Sequence, residues 1–284
     1  MNLPTAFDVI AEWASLNKVP VHEARFRFAQ YAVLRAIADS RSLSASLVFK
    51  GGNALDFIWE PNRSTKDLDS SARENGLQMP ELKRLLGDSL SRVGRLTGVF
   101  CRVQHMEQRP PGEHKTFITF VGKVGYALRD DRKNRERILQ GRDVSTVVPL
   151  DISLNELICA TENIDLDGTH SLQVCTLEDI VAEKLRALLQ QIPRNRLRCQ
   201  DVLDIALILA QRQLDEGSIA AYLLQKASVR NVQVAKKAFR EDEIRRRASE
   251  NYADLQVTVR KTFIPFEEAF SKIINFIERL NIPE

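Results

Sequence analysis

An α/β (α+β) fold, a mixed sheet with flanking helices that leads into a mostly helical C-terminal domain, is what this 284-residue sequence predicts. Three observations carry that reading. Helix-period apolar patterns over residues 2–16, 22–39 and 79–97 alternate with strand-like runs over 66–70, 98–105, 116–121 and 147–154. After a last strand-like run beginning at Ser171, only helical patterns follow. The length suffices for two domains with a substantial core, placed at 1–170 and 171–284.

The elements follow in order. Phe7, Ile10, Ala11 and Ala14 fall at helix spacing, as do Phe26, Ala29, Val33 and Ile37; such leading helices brace a sheet. Leu47-Val48-Phe49 reads as a short buried segment delivering the chain to Gly51-Gly52. Residues 54–59 then form a helix stopped by Pro61. Leu82, Leu85, Leu86, Leu90 and Val93 stripe the helix of 79–97. Residues 129–143 are strongly basic and nearly free of apolar side chains: a solvated excursion between strands, or an arm touching a phosphate backbone. Pro149 marks its strand as an edge or bulged one. Thr176 with Glu178 and Asp179 reads as a capped helix start. Later helices cover 216–227, 232–250 and 263–280, with Pro265 suited to the first turn of the last.

Composition excludes several classes. A hydrophobic share of 44% against 28% charged gives no case for disorder. No apolar run approaches the roughly 18–20 residues of a membrane-spanning helix, and no secretory signal is expected, so the reading is cytoplasmic. Cys101, Cys159, Cys175 and Cys199 are scattered without metal spacing and read as reduced thiols. His22, His105, His114 and His170 share no ligand spacing either. Net charge is only +3, so local basic clusters matter more than the total.

The chemistry concentrates between Phe49 and Asp69. Two adjacent glycines, Gly51 and Gly52, let backbone N–H groups approach an anion, and a helix starting at Asn53 adds its positive end. Asp67 and Asp69 alternate in a strand, so both carboxylates leave one face. Two such carboxylates repel unless a cation lies between them, and hard oxygens suit Mg²⁺ held jointly with substrate phosphates. In the strand of 147–154, Val148, Leu150 and Ile152 point one way and Asp151 the other. A third acid there would complete a metal site and orient or deprotonate an attacking hydroxyl; a solvated strand-end Asp is the plain alternative.

A second constellation lies downstream. Lys184 falls inside the apolar stripe formed by Leu177, Ile180, Val181, Leu185, Leu188 and Leu189, where a lysine must snorkel, pair with an acid or face an anion. After the basic turn Arg194, Arg196, Arg198, the acids Asp201 and Asp204 share one sector of an otherwise apolar helix. Across a short helical hairpin Lys184 reaches either acid, giving a structural bridge or a cation for a triphosphate. Lys236, Lys237, Arg240, Arg245, Arg246 and Arg247 form a basic stretch suited either to solvation or to tracking an RNA backbone.

The residues also carry a resemblance. KGGNAL from Lys50, followed by Arg63-Ser-Thr65-Lys-Asp67-Leu-Asp69, then EDIVAEKLRALL around Lys184 and Arg198-x-x-Asp201-x-x-Asp204, resembles the motifs of the AbiEii/AbiGii nucleotidyltransferase toxins, the MenT-like family of abortive-infection and toxin–antitoxin systems. The sequence departs from that pattern with Asn53 where a small hydroxyl is usual. The resemblance covers most of the first 210 residues. It implies a nucleotidyltransferase-type mixed sheet and a cleft for a nucleoside triphosphate. It implies Asp67, Asp69 and Asp151 on Mg²⁺ (Mn²⁺ as the alternative), with Lys184 offsetting phosphate charge. It implies Lys50, Gly51, Gly52, Asn53, Thr65, Arg198, Asp201 and Asp204 on the nucleotide. It further implies transfer of a nucleotide to the 3′ end of tRNA or another RNA, and a winged-helix antitoxin encoded nearby. A small-molecule or protein acceptor, or a nucleotide-binding regulator without turnover, are the rival readings.

Overall fold

Alternating burial builds the sheet. Val148, Leu150 and Ile152 are fully buried while Asp151 between them is partly exposed, so the strand has a covered face and an open one. The computed structural model describes the whole chain except Ser64, Glu74, Asn75, Glu113 and His114; Ser64 of the acid motif and His114 thus lie outside the described residues. The chain divides into two compact units, and the first comprises residues 1–58, 65–156 and 162–174.

Among the described residues, seven strands form one mixed sheet: β1 (Leu47–Lys50), β2 (Leu68–Ala72), β3 (Val99–Arg109), β4 (Thr119–Leu128), β5 (Val147–Ser153), β6 (Thr161–Asp165) and β7 (Ser171–Cys175). Their spatial order is β3-β4-β5-β2-β1-β7-β6. β1 pairs antiparallel with β2, and β2 parallel with β5. The helices of this unit are α1 (Ile10–Leu16), α2 (Val21–Asp39), α3 (Arg41–Ser46), α4 (Gly51–Ala54), α5 (Met79–Thr97) and α6 (Arg132–Leu139). A single π-helical turn, Leu55–Trp59, continues α4. Helices α2 and α5 pack on each other, and between them reach β3, β4 and β5. The buried stripe of α5, Leu82, Leu86, Leu90 and Val93, is the one its periodicity predicts.

Three expectations need correction. β5 is an interior strand between β4 and β2, although Pro149 argued for an edge or a bulge. Its pairing with β2 begins only at Leu150, opposite Leu68, so at position 149 a missing donor on that side removes no ladder bond. The basic stretch of 129–143 is not a bare excursion, because it contains α6. Asp131 caps that helix by accepting from the Asn134 N–H, and Ile138 packs with Ala127 and Val144. Finally, α1 begins only at Ile10, and β6 and α3 carried too little periodicity to be foreseen.

The second unit, residues 59–64, 157–161 and 175–284, is helical: α7 (Leu177–Leu189), α8 (Cys199–Gln211), α9 (Glu216–Val229), α10 (Lys236–Phe239), α11 (Asp242–Ser249) and α12 (Phe266–Arg279). Thr176 caps α7 by accepting from the Asp179 N–H, as the sequence predicts. Helix α8 is apolar around most of its circumference because α7, α11 and α12 all pack against it. Lys226 is buried with Asp179 at 3.1 Å and also donates to the Leu157 carbonyl, which ties α9 to α7 and to residues 157–161. The expected helix over 232–250 is two short ones, α10 and α11.

Candidate active site

In the first unit, strand register sets the site. Lys50 in β1 lies directly opposite Asp69 in β2, and Asp69 directly opposite Asp151 in β5. Residues so paired share a face, and here it is the face away from the buried Leu68, Leu150 and Ile152. Asp67, two positions before Asp69, is exposed. Gly51 is in the left-handed region at φ +76°, and a Cβ there would stand 2.5 Å from the Asp69 Oδ2. The glycine bend and the acid strand therefore press together, with Gly52 following into α4.

Charge on this face is unbalanced. Burial pushes the Asp69 carboxyl up to about 7; Lys50 opposes the shift, while Asp151, Asp67 and Glu156 add to it. Asp151 is raised as well, by burial and then by Asp67, against the pull of Arg109 and Lys50. Four carboxylates thus face two cations. Among the described residues, no three His, Cys, Asp or Glu side chains are gathered to hold a metal ion by themselves, so the three-carboxylate centre expected from Asp67, Asp69 and Asp151 is not closed. The donor chemistry still fits a hard divalent cation: mutually repelling carboxylate oxygens on an accessible face suit an ion that takes its remaining ligands from a polyphosphate.

Two residues expected on the nucleotide have other partners. The Lys50 ammonium is ion-paired with Glu156 and lies 3.4 Å from the Ser153 hydroxyl, while Ser71 also donates to Glu156. Glu156 was missed by sequence reasoning, since it follows β5 in an irregular segment with no periodic signal. Asn53 is fully buried: its Oδ1 accepts from Arg27 at 3.2 Å and its Nδ2 donates to the Asp67 carbonyl at 2.6 Å. Its amide braces the acid strand instead of reaching toward a phosphate. Arg27 in turn pairs with the buried Asp56 at 2.6 Å. The Thr65 hydroxyl is buried with no hydrogen-bond partner among the described residues.

In the second unit, Lys184 donates to Asp201 at 2.6 Å and to Asp204 at 2.9 Å. Arg63 meets Asp204 through Nε at 3.2 Å and Nη2 at 3.0 Å, and Arg198 stands 3.6 Å from Asp201. Burial alone would raise the Asp204 carboxyl, but Lys184 and Arg63 overcome it and hold it down at about 2. Burial likewise opposes the charge on Lys184, and the two aspartates raise its ammonium above the usual value. The Lys184 bridge is therefore real, and the ammonium is spoken for by both acids. The basic stretch of α10 and α11 is also internally neutralised: Arg245 by Glu267, Arg246 and Arg247 by Glu243, and Arg240 by Glu278.

Comparison with known proteins identifies the family and the fold. Residues 32–272 match the family model described as nucleotidyl transferase AbiEii toxin, type IV toxin–antitoxin system. The structure resembles MenT4, a nucleotidyltransferase toxin from Mycobacterium tuberculosis, with a TM-score of 0.57 at 16% identity over 96% of this chain and 90% of that one. It also resembles JHP933 from Helicobacter pylori, with a TM-score of 0.51 at 15% identity over 90% of each chain. No curated protein sequence matches the chain.

Proposed function

The chain belongs to the AbiEii family of nucleotidyltransferase toxins of type IV toxin–antitoxin systems, and from that premise we propose that it transfers a nucleoside monophosphate from an NTP to an acceptor hydroxyl, the 3′ end of a tRNA, with a divalent ion at the acid strand. The family implies an antitoxin partner; a winged-helix protein encoded nearby and a role in phage defence are part of the proposal. No described helix is long and apolar enough to cross a membrane, and a cytoplasmic setting is proposed with the rest.

The observation that carries this reading is the side-by-side placement of Asp69 and Asp151 beside the Gly51 bend, with burial first and then neighbouring carboxylates raising both carboxyls. Asp67, Asp69 and Asp151 would hold Mg²⁺, or Mn²⁺ in its place, which when bound neutralises phosphate charge. The Gly51 and Gly52 backbone amides bind phosphate oxygens, and Thr65 offers its unused hydroxyl. Asp151 accepts the proton of the attacking hydroxyl at its carboxylate. The hydroxyl oxygen bonds to the α-phosphorus, the bond to the β-phosphate oxygen breaks, and pyrophosphate leaves with that electron pair. Lys50, paired with Glu156 beside Asp69, offsets part of the acids' charge and would meet a phosphate oxygen of the nucleotide. Lys184, Arg198, Asp201 and Asp204 are the second unit's nucleotide-binding candidates, acting as a network and not as a free cation. Incubation with labelled NTPs, Mg²⁺ and total RNA tests the proposal: label enters RNA, and Asp69→Asn abolishes it. Label in protein, in a small molecule or nowhere overturns the RNA acceptor, and activity surviving in Asp69→Asn overturns the site.

A further inference from the structure

In the second unit, most of the arginines that the sequence offers as a basic surface have acidic partners, as the Glu243, Glu267 and Glu278 pairs of α10 and α11 show. The turn joining α7 to α8 is different. Arg194 and Arg196 are exposed, and among the described residues neither has an ion-pair partner. With Arg198 they place three guanidinium groups within five residues. Burial and then the neighbouring Arg186, Arg196 and Arg198 charges lower the Arg194 pKa, with Glu183 opposing, so the cations crowd one another more than the nearby acid offsets.

The turn is also held rigid. Gln191 is fully buried; its carbonyl accepts from the Arg196 N–H at 3.0 Å, its Oε1 from the Arg198 N–H at 3.1 Å, and its Nε2 donates to the Ile244 carbonyl. Asn195, at φ +46°, accepts from Arg247 at 2.9 Å. Fixing cations in place while leaving them unpaired lowers the ordering cost of binding an anion.

A cleft of about 410 Å³ opens beside the turn, walled by Leu197, Leu255 and Cys199 and edged by Arg198, Gln200, Asn251 and the two carboxylates of Asp201 and Asp254. That volume falls in the small-ligand range. The carboxylates of Asp201 and Asp254 in the lining disfavour a phosphate inside. Apolar walls, two amides and a carboxylate acceptor instead suit an unstacked base with an exocyclic amino group, and the Arg198 guanidinium plane offers it a stacking partner.

We propose that the α7–α8 turn and this cleft form a docking site for single-stranded RNA, with backbone phosphates on Arg194 and Arg196 and one splayed base in the cleft. This rests on the reading that the acceptor is RNA and names the surface that would hold it. An acidic segment of a partner protein would satisfy the arginines but leave the cleft without a role.

The test measures binding of the full chain to a fluorescent single-stranded oligoribonucleotide across a salt series, without NTP or metal, so that failure of the transfer chemistry does not enter. Arg194→Ala/Arg196→Ala should weaken binding about 10- to 100-fold and reduce the salt slope by about 1.4, the value for two lost single-strand phosphate contacts. Arg194→Lys/Arg196→Lys should retain most of the slope. Unchanged affinity and slope in the alanine variant, no RNA binding by the wild type, or equal displacement of RNA by polyglutamate would each overturn the docking site. The transfer assay with Asp69→Asn reports separately on the chemistry.

Discussion

Replacing Arg27 by Met isolates the buried brace behind the acid strand. Arg27 and Asp56 are 1% and 2% exposed, and the guanidinium also lies over the Phe57 ring at 4.8 Å. Burial lowers the Arg27 pKa to about 10, with Glu23 opposing, so the group stays charged at neutral pH. Met fills much of the same volume but leaves the Asp56 carboxylate buried without its cation. Stranding one partner of a buried pair costs about 3–5 kcal/mol. Replacing both partners together, as Arg27→Met/Asp56→Leu, should recover much of that loss, because the buried Asp56 charge is then gone and only the part-exposed Glu23, 3.7 Å from the guanidinium, still misses it. The coupling is thus large and opposite in sign to either single effect. Two compact units need not unfold together, so hydrogen exchange at the α2 amides is the appropriate readout, with urea as the perturbant. A single variant costing under about 1 kcal/mol, or a double variant costing the sum of the singles, would refute the brace. Asn53 loses its Arg27 donor in both variants, so each should also impair nucleotidyl transfer beyond its effect on stability.

Two further predictions concern charge. Asp69 titrates near 7 in the folded chain against 3.8 as an ordinary aspartate, so the native state binds the extra proton more tightly. Its contribution to stability is present at low pH and is lost as pH rises from about 4 through about 7. Metal-free Asp69→Asn should therefore show a flatter decline over that window in a series of thermal melts; an unchanged slope would contradict the buried, repelled carboxyl. Asp204 works in the opposite direction. It is held at about 2, so its contribution is present above 3.8 and lost as pH falls through about 2. Lys184→Met leaves Asp204 with Arg63 alone, so acid unfolding should begin at higher pH, with a cost near neutrality of about 3–5 kcal/mol. Acid and urea titrations followed by circular dichroism would show both effects, and a neutral result would make the bridge dispensable.

What was legible in the sequence was what a period or a short spacing encodes. Asp151 could be assigned to the open face because Val148, Leu150 and Ile152 define the other one, and Lys184 could be matched to Asp201 and Asp204 because a short turn folds α8 back on α7. The pairing of Arg246 and Arg247 with Glu243 was equally available at spacings of three and four, and neglecting it made α11 look like a bare basic surface. Asn53 was different. Its donor is 26 residues upstream and its acceptor 14 downstream, so nothing local distinguished a buried brace from a phosphate contact. Glu156 and the interior place of Pro149 depended likewise on strand order, which no single strand records.

The two polar clusters obey opposite electrostatic rules, and that difference decides which one needs a ligand. In the helical unit, Lys184, Arg63 and Arg198 carry three positive charges against the two negative charges of Asp201 and Asp204; hydrogen bonds join Lys184 and Arg63 to the acids, and Arg198 stands 3.6 Å from Asp201. Such a set is satisfied as it stands, and a ligand entering it must break a bond already made. On the sheet, Lys50 and Arg109 face Asp67, Asp69, Asp151 and Glu156, and Lys50 is already bound to Glu156. Burial raises two of the carboxyls and the neighbouring acids add to it, and the surplus negative charge is relieved by a cation from outside or by a proton. The proposed catalysis by charge neutralisation is placed where the protein alone leaves charge unneutralised, and on these residues the unneutralised charge lies on the acid strand beside Gly51.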